Sequence, residues 1–327
     1  MLNIYNGCAI TITNKATGKA WFFDFVANVN IVEDVTTLTD TCTIEVPKKV
    51  SWQGITGGAG VNPPIKRGDK ILVQLGYDGQ LVTRFDGYVK NVHNKTPLRI
   101  ECEDGMFVLK LKEIAKKAFR NCTLEDLITY LLAGTGIGFK LIDKNIKLGN
   151  YRIKESTAAA ELNELKKEYG LMAYFRNGDL YVGLTYPFDK VKTERIVYGK
   201  RLIEESLEYK RAEDIKLKVK AVSMHNGNEI ATVTLGDADG ELIEVKLPGL
   251  NKAELKAFAQ QTLNNAKYDG VRGSVTTFGE PVLHKADRVQ LELETANKGT
   301  YVNKRVEVQF GTSGYRQVIE LGFIVSK

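Results

Sequence analysis

Apolar and polar residues alternate with a period of two through much of the first hundred positions, the mark of half-buried strands. The clearest case sets Cys42, Ile44 and Val46 between Thr41, Thr43 and Glu45. The pattern predicts further strands over 9–13 and 21–25, around a turn at Thr17-Gly18, and over 70–75, 82–85, 88–92 and 98–102. Residues 52–64, rich in Gly and closed by Pro63-Pro64, predict a long surface loop.

Past Asp104 the period changes. Residues 106–118 predict a helix. Thr123 with Asp126 forms the start signal of a second, whose apolar face is Leu124, Leu127, Ile128, Leu131 and Leu132, with Gly134 as its stop. A third helix is predicted from 157 to 169, ending at Gly170. A hairpin follows around Asn177-Gly178. Beyond Pro187 strands return over 215–224, 230–235 and 242–247. Asn251 and Glu254 open one more helix, to about 267, and strands at 274–277, 288–293, 301–310 and 317–325 close the chain. The reading is a mainly β fold with an α+β insertion, divided into 1–104, 105–187 and 188–327.

Two stretches echo each other. Pro64 to Leu75 (PIKRGDKILVQL) leads through a turn to Phe85-Asp86-Gly87-Tyr88-Val89. Pro281 to Leu293 (PVLHKADRVQLEL) leads through a turn to Tyr301-Val302. Each sets an Asp beside basic residues, then a strand, a short loop and a second strand with an aromatic-Val step.

At 327 residues, 43% hydrophobic and 26% charged, the chain has room for two or three domains with a sizeable core. No apolar run is long enough to span a bilayer, and no export signal opens the chain at Met1-Leu2-Asn3. The net charge of +6 is mild, and the basic clusters at 110–117 and Lys200-Arg201 carry acidic neighbours. They predict solvated faces, not a dedicated duplex-DNA surface. Cys8, Cys42, Cys102 and Cys122 form no CxxC pair, so buried reduced thiols are expected in a reducing cytosol.

The search for chemistry yields little. His93, His225 and His284 have no nucleophile or metal-ligand partner at motif spacing, and no GxSxG, HExxH or P-loop motif occurs. Gly134-Thr135-Gly136-Ile137-Gly138 follows a helix, where a dinucleotide loop would join a strand to a helix. Asp237-Ala238-Asp239-Gly240 lacks the closing Glu of a calcium loop and reads as a tight turn. The aromatics at 21–25 read as sheet core ahead of a stacking platform. No catalytic, cofactor or metal residue is therefore assigned, and the expectation is a non-enzyme.

Four segments carry a resemblance: Lys66 to Leu75 (KRGDKILVQL), Arg84 to Val92 (RFDGYVKNV), Leu98 to Met106 (LRIECEDGM) and Tyr315 to Gly322 (YRQVIELG). In that order they resemble the baseplate hub proteins of contractile phage tails, the late control D family. That family shares its fold with the N-terminal part of type VI secretion spike proteins. The second turn departs from it, reading Lys285-Ala286-Asp287 where a Gly-Asp is expected. The resemblance implies two related β-barrel hub domains and a small α+β domain. It implies a homotrimer whose six units form a ring between a sixfold tail tube and a threefold spike, with DNA passing through transiently. It places the chain in the virion baseplate after assembly in the bacterial cytoplasm. Its partners would be a tube or distal tail protein and a spike on a separate chain, since nothing follows Lys327. A lumen that is not strongly basic is expected, because a basic one would hold DNA. The alternatives are a tail-associated cell-wall hydrolase and a carbohydrate-binding adhesin module.

Overall fold

The computed structural model describes residues 5–47, 63–144, 146–185, 191–226, 228–294 and 298–326. The loop predicted over 52–64 falls almost wholly outside them. The first stretch supplies β1 (Asn6–Thr13), β2 (Ala20–Phe23), β3 (Asn28–Asp34), β4 (Thr41–Val46), β5 (Lys70–Tyr77), β6 (Gln80–His93) and β7 (Leu98–Glu103). Next come α1 (Met106–Leu111), β8 (Ala118–Thr123), α2 (Leu124–Leu132), β9 (Phe139–Leu141) and β10 (Lys147–Arg152). They are followed by α3 (Ala158–Tyr169), β11 (Met172–Arg176) and β12 (Asp179–Gly183). The last stretch holds β13 (Thr193–Val197), β14 (Leu202–Lys210), β15 (Leu217–His225), β16 (Asn228–Gly236) and β17 (Glu241–Pro248). It ends with α4 (Lys252–Ala266), β18 (Gly270–Phe278), β19 (Arg288–Glu292), β20 (Lys298–Gly311) and β21 (Gly314–Ser326).

The fold is mainly β with an inserted α+β region. The helix predicted over 106–118 stops early. Lys112 is already extended, and Ala118–Thr123 is drawn into pairing with β10. Two capping boxes set the starts of α2, at Thr123 and Asp126, and of α4, at Asn251 and Glu254. Asn177 and Gly178 both take positive φ, as a two-residue turn matched to strand twist requires.

The main sheet has thirteen strands and contains one strand order twice. One copy runs β3-β4-β7-β6-β5-β1, and the other runs β14-β18-β21-β20-β19-β13. The turns repeat as well. Gly68 N donates to Val89 O and Val89 N to Asp69 O, while Lys66 N reaches Asp69 Oδ2. Ala286 N donates to Asn303 O and Asn303 N to Asp287 O, while His284 N reaches Asp287 Oδ2. Thus Lys66, Gly68, Asp69 and Val89 correspond to His284, Ala286, Asp287 and Asn303.

The departure from Gly-Asp has a physical signature. Gly68 sits at φ +89° and Ala286 at φ +64°, both left-handed. A methyl on Gly68 would find ordinary contact with Lys15 and Phe107, so Gly68→Ala brings only the left-handed strain and is expected to cost about 1–2 kcal/mol. Ala286→Gly relieves that strain but loses a fully buried methyl worth about 0.8 kcal/mol. Its net effect is expected to stay below about 1 kcal/mol. Urea unfolding of the two variants checks both statements.

The two copies do not close into barrels among the described residues. They are joined instead, because β3 pairs antiparallel with the far half of β20, from Arg305↔Asp34 to Gly311↔Asn28. Val29, Ile31, Val306 and Val308 are fully buried across this seam, and each such side chain is worth about 1.5–3 kcal/mol. A second core gathers α1 to α3 with Val219, Ala221 and Leu247 from β15 and β17 and Leu255 and Ala259 from α4. The three-stranded β16-β15-β17 sheet and α4 therefore pack with the α+β elements of 105–187.

Candidate functional site

The residues weighed from sequence take separate structural places. His93 ends β6 and pairs with Glu101 at 3.2 Å. His225 ends β15 at a hairpin turn. Cys42 and Cys102 are register partners on β4 and β7, and burial pushes both thiols up. All four cysteines are free and buried. No group of three His, Cys, Asp or Glu suited to a metal ion occurs among the described residues. Gly138 lies so close to the Asp179 carboxylate that a methyl there would meet its Oδ1 at 2.5 Å, so the loop faces an anion of its own chain. Asp237 accepts from Leu217 N at 3.0 Å and pairs with Lys267 at 2.6 Å, a tied turn. The aromatic strand splits by parity: Phe23 packs in the core while Phe22 is 64% exposed.

Sequence reasoning missed what lies behind the β3/β20 seam, where a buried charged network meets a cleft of about 510 Å³. Of its members the sequence marks only His284, as a histidine without a motif partner, and Lys285, in the turn that departs from Gly-Asp. Glu33 comes from β3, Asp40 and Asp104 from loops flanking β4 and β7, and Arg84 from β6. His284 and Lys285 come from the second Asp turn. Lys285, 1% exposed, donates from Nζ to Asp40 Oδ1 at 2.5 Å and from its backbone to Glu33 Oε2 at 3.1 Å. Its ammonium also sits 5.1 Å from the Tyr174 ring centroid. His284 Nδ1 lies 2.9 Å from Glu33 Oε1. Asp104 accepts from Asp40 N and Met106 N, both at 3.0 Å. Arg176 reaches in from β11, bonding Asp287 Oδ1 at 2.7 Å and the Lys285 carbonyl at 2.9 Å.

Burial alone would raise the Glu33 carboxyl, but His284, Arg84 and Lys285 outweigh it and hold it at about 2. Burial raises Asp104 to about 6, against the opposing pull of Lys285 and two backbone amides. Burial also drives Asp40 well up, helped by Asp104 and Glu33 and opposed by Lys285. Lys285 is the cation all three carboxylates share, while Arg84 acts on Glu33 through its charge, its own Nη2 donating to the Leu283 carbonyl at 3.1 Å, and Lys110 acts on Asp104. The arrangement fastens three parts of the chain together.

The linkage has a sign for each group. Glu33, held down, stabilises the fold above the ordinary glutamate range and loses that effect as pH falls toward 2. Asp104, held up, stabilises below the ordinary aspartate range and loses that effect as pH rises through 6. Thermal unfolding is expected to show a stability maximum between these limits. Glu33→Gln is expected to remove most of the acid limb. An unchanged acid limb in that variant would contradict the assignment.

No family model matches the chain, and no curated protein sequence matches it. Solved structures do. A tail protein from Neisseria meningitidis MC58 aligns over 97% of this chain and 96% of its own, at 16% identity and a TM-score of 0.67. The 43 kDa tail protein of prophage MuSo2 from Shewanella oneidensis covers 97% and 98%, at 15% identity and TM-score 0.65. An Escherichia coli component of the type VI secretion system, described as structurally similar to the T4 tail proteins gp27 and gp5, covers 91% and 73%, at 8% identity and TM-score 0.56. The chain has the fold of these phage tail and tail-like proteins, the hub-like fold expected from its four β segments.

Proposed function

We propose that the chain is the structural baseplate hub of a phage, prophage or phage-like tail. Three copies would form a ring of six related β units that adapts a sixfold tail tube to a threefold spike. The observation that carries this reading is the duplicated six-strand order within one chain. Two similar units per chain give a threefold assembly a pseudo-sixfold face. The whole-chain likeness to tail proteins supports the same role. The seam suits a mechanical part, since load between the units would pass through a ladder of backbone hydrogen bonds and a buried ion network.

In this reading the chain performs no turnover. It would meet a tube or distal tail protein on one face and a separate spike protein on the other. DNA would pass through a lumen that is not strongly basic. No helix of the described residues is long and apolar enough to cross a membrane. The chain would be a virion component assembled in the bacterial cytoplasm.

Electron microscopy of the purified chain at high concentration tests the proposal. Ring-shaped particles with threefold averages and six lobes are expected. Class averages showing only compact single-chain particles would contradict it.

A further inference from the structure

The duplication makes a demand that one chain does not meet. Within the chain β20 has three partners. β21 lies along one side, while β19 and then β3 share the other. Its counterpart β6 has β7 along one side and β5 on the other only as far as Tyr88, with the Asp turn covering Val89. Beyond that point, among the described residues, the stretch from Lys90 to His93 has no strand where β20 holds β3. The counterpart of β3 is β14, and among the described residues β14 pairs only with β18. Among the described residues the molecule therefore carries one complete seam and both unpaired halves of a second.

We infer that the open edge of β14 in one copy pairs antiparallel with the far end of β6 in the next copy, reproducing the β3/β20 seam between chains. This rests on the ring reading and says which strands build it. The register follows from the repeat. Val29 pairs with Ile44 and Ile44 with Ile100, while Glu205 pairs with Val275 and Val275 with Ile319. Ile100 and Ile319 pair in turn with Val92 and Val306, which matches Glu205 with Val29. Carrying over the observed pairs Arg305↔Asp34, Val306↔Glu33 and Glu307↔Val32 sets Lys210 opposite Asn91, Tyr209 opposite Val92 and Glu208 opposite His93.

The chemistry of the two edges agrees. Tyr209 is 50% exposed in the single chain and would be covered by Val92. The β14 edge carries Glu204, Glu205 and Glu208, all exposed, with Lys210 at its end. The β6 end carries Lys90, His93 and Lys95, with Arg99 beside them on β7 and Glu101 among them. An acidic edge meets a basic one, which favours a neighbouring copy in one register over self-pairing of either edge. The contact is head-to-tail, so it must close on itself or run on as a filament.

Cysteine pairing tests the inference, since the native thiols are buried. A chain carrying both Glu208→Cys and His93→Cys is expected to oxidise into a covalent species three times the chain mass. Directly opposite strand residues lie within disulfide reach. A mixture of the two single variants should give dimers only. As a second readout, His93→Glu with Lys95→Glu should weaken self-association at least about tenfold, and Glu208→Lys should restore it. If light scattering shows the trimer while the double-cysteine chain gives no linked species, the strand assignment is overturned and the ring stands. Neither trimer nor linked species at any concentration overturns both.

Discussion

Replacing Lys285 with methionine is expected to destabilise the fold by about 3–5 kcal/mol. The side chain is 1% exposed and its ammonium is the nearest cation to Asp40. Methionine fills similar space but carries no charge, so Asp40, Asp104 and Glu33 would lose the one cation all three share, leaving Arg84 to act on Glu33 and Lys110 on Asp104. Asp40 and Asp104 already sit high, and removing Lys285 pushes both higher. The loss should therefore grow as pH rises through 6. Chemical denaturation of the variant at pH 5 and pH 8 measures it. A loss under about 1 kcal/mol at both would show that the network is not what holds the units together.

Asp287→Ala is expected to cost a similar amount, about 3–5 kcal/mol. Asp287 is fully buried, accepts from His284 N at 3.0 Å and holds Arg176 at 2.7 Å. Its loss would strand a guanidinium whose side chain is only 13% exposed. Asp69→Ala, at the matching place in the first unit, should cost less, about 2–3 kcal/mol. There the carboxylate accepts only neutral donors, Lys66 N, Lys15 N and Asn14 Nδ2. Equal losses at the two sites would contradict the role given to Arg176. Urea midpoints of the two variants make the comparison.

The sequence carries the strand and helix pattern openly because each amphipathic face is local. Cys42, Ile44 and Val46 face the core as their alternation requires. The 64–75 and 281–293 echo proves to be one turn with matching hydrogen bonds, since Asp69 and Asp287 do the same work. β3 went unread because Asn28, Asn30, Glu33 and Asp34 dilute its alternation, yet its Val29 and Ile31 are fully buried. Its polar residues face partners far along the chain: Asn30 meets Glu307, and Glu33 meets His284 and Lys285. Nothing local in a sequence marks such a residue. The same holds for Lys285, which reads as a solvated lysine until Asp40 is folded against it. The sole hint was its departure from the Gly-Asp turn, and Ala286 accommodates that turn at positive φ.

The central claim is that this chain works as a threefold ring. Absolute mass by light scattering over a range of concentrations tests it most directly. The account predicts a species three times the 36.4 kDa chain, near 109 kDa, that gains population as concentration rises. A mass fixed at that of one chain throughout the range would contradict it.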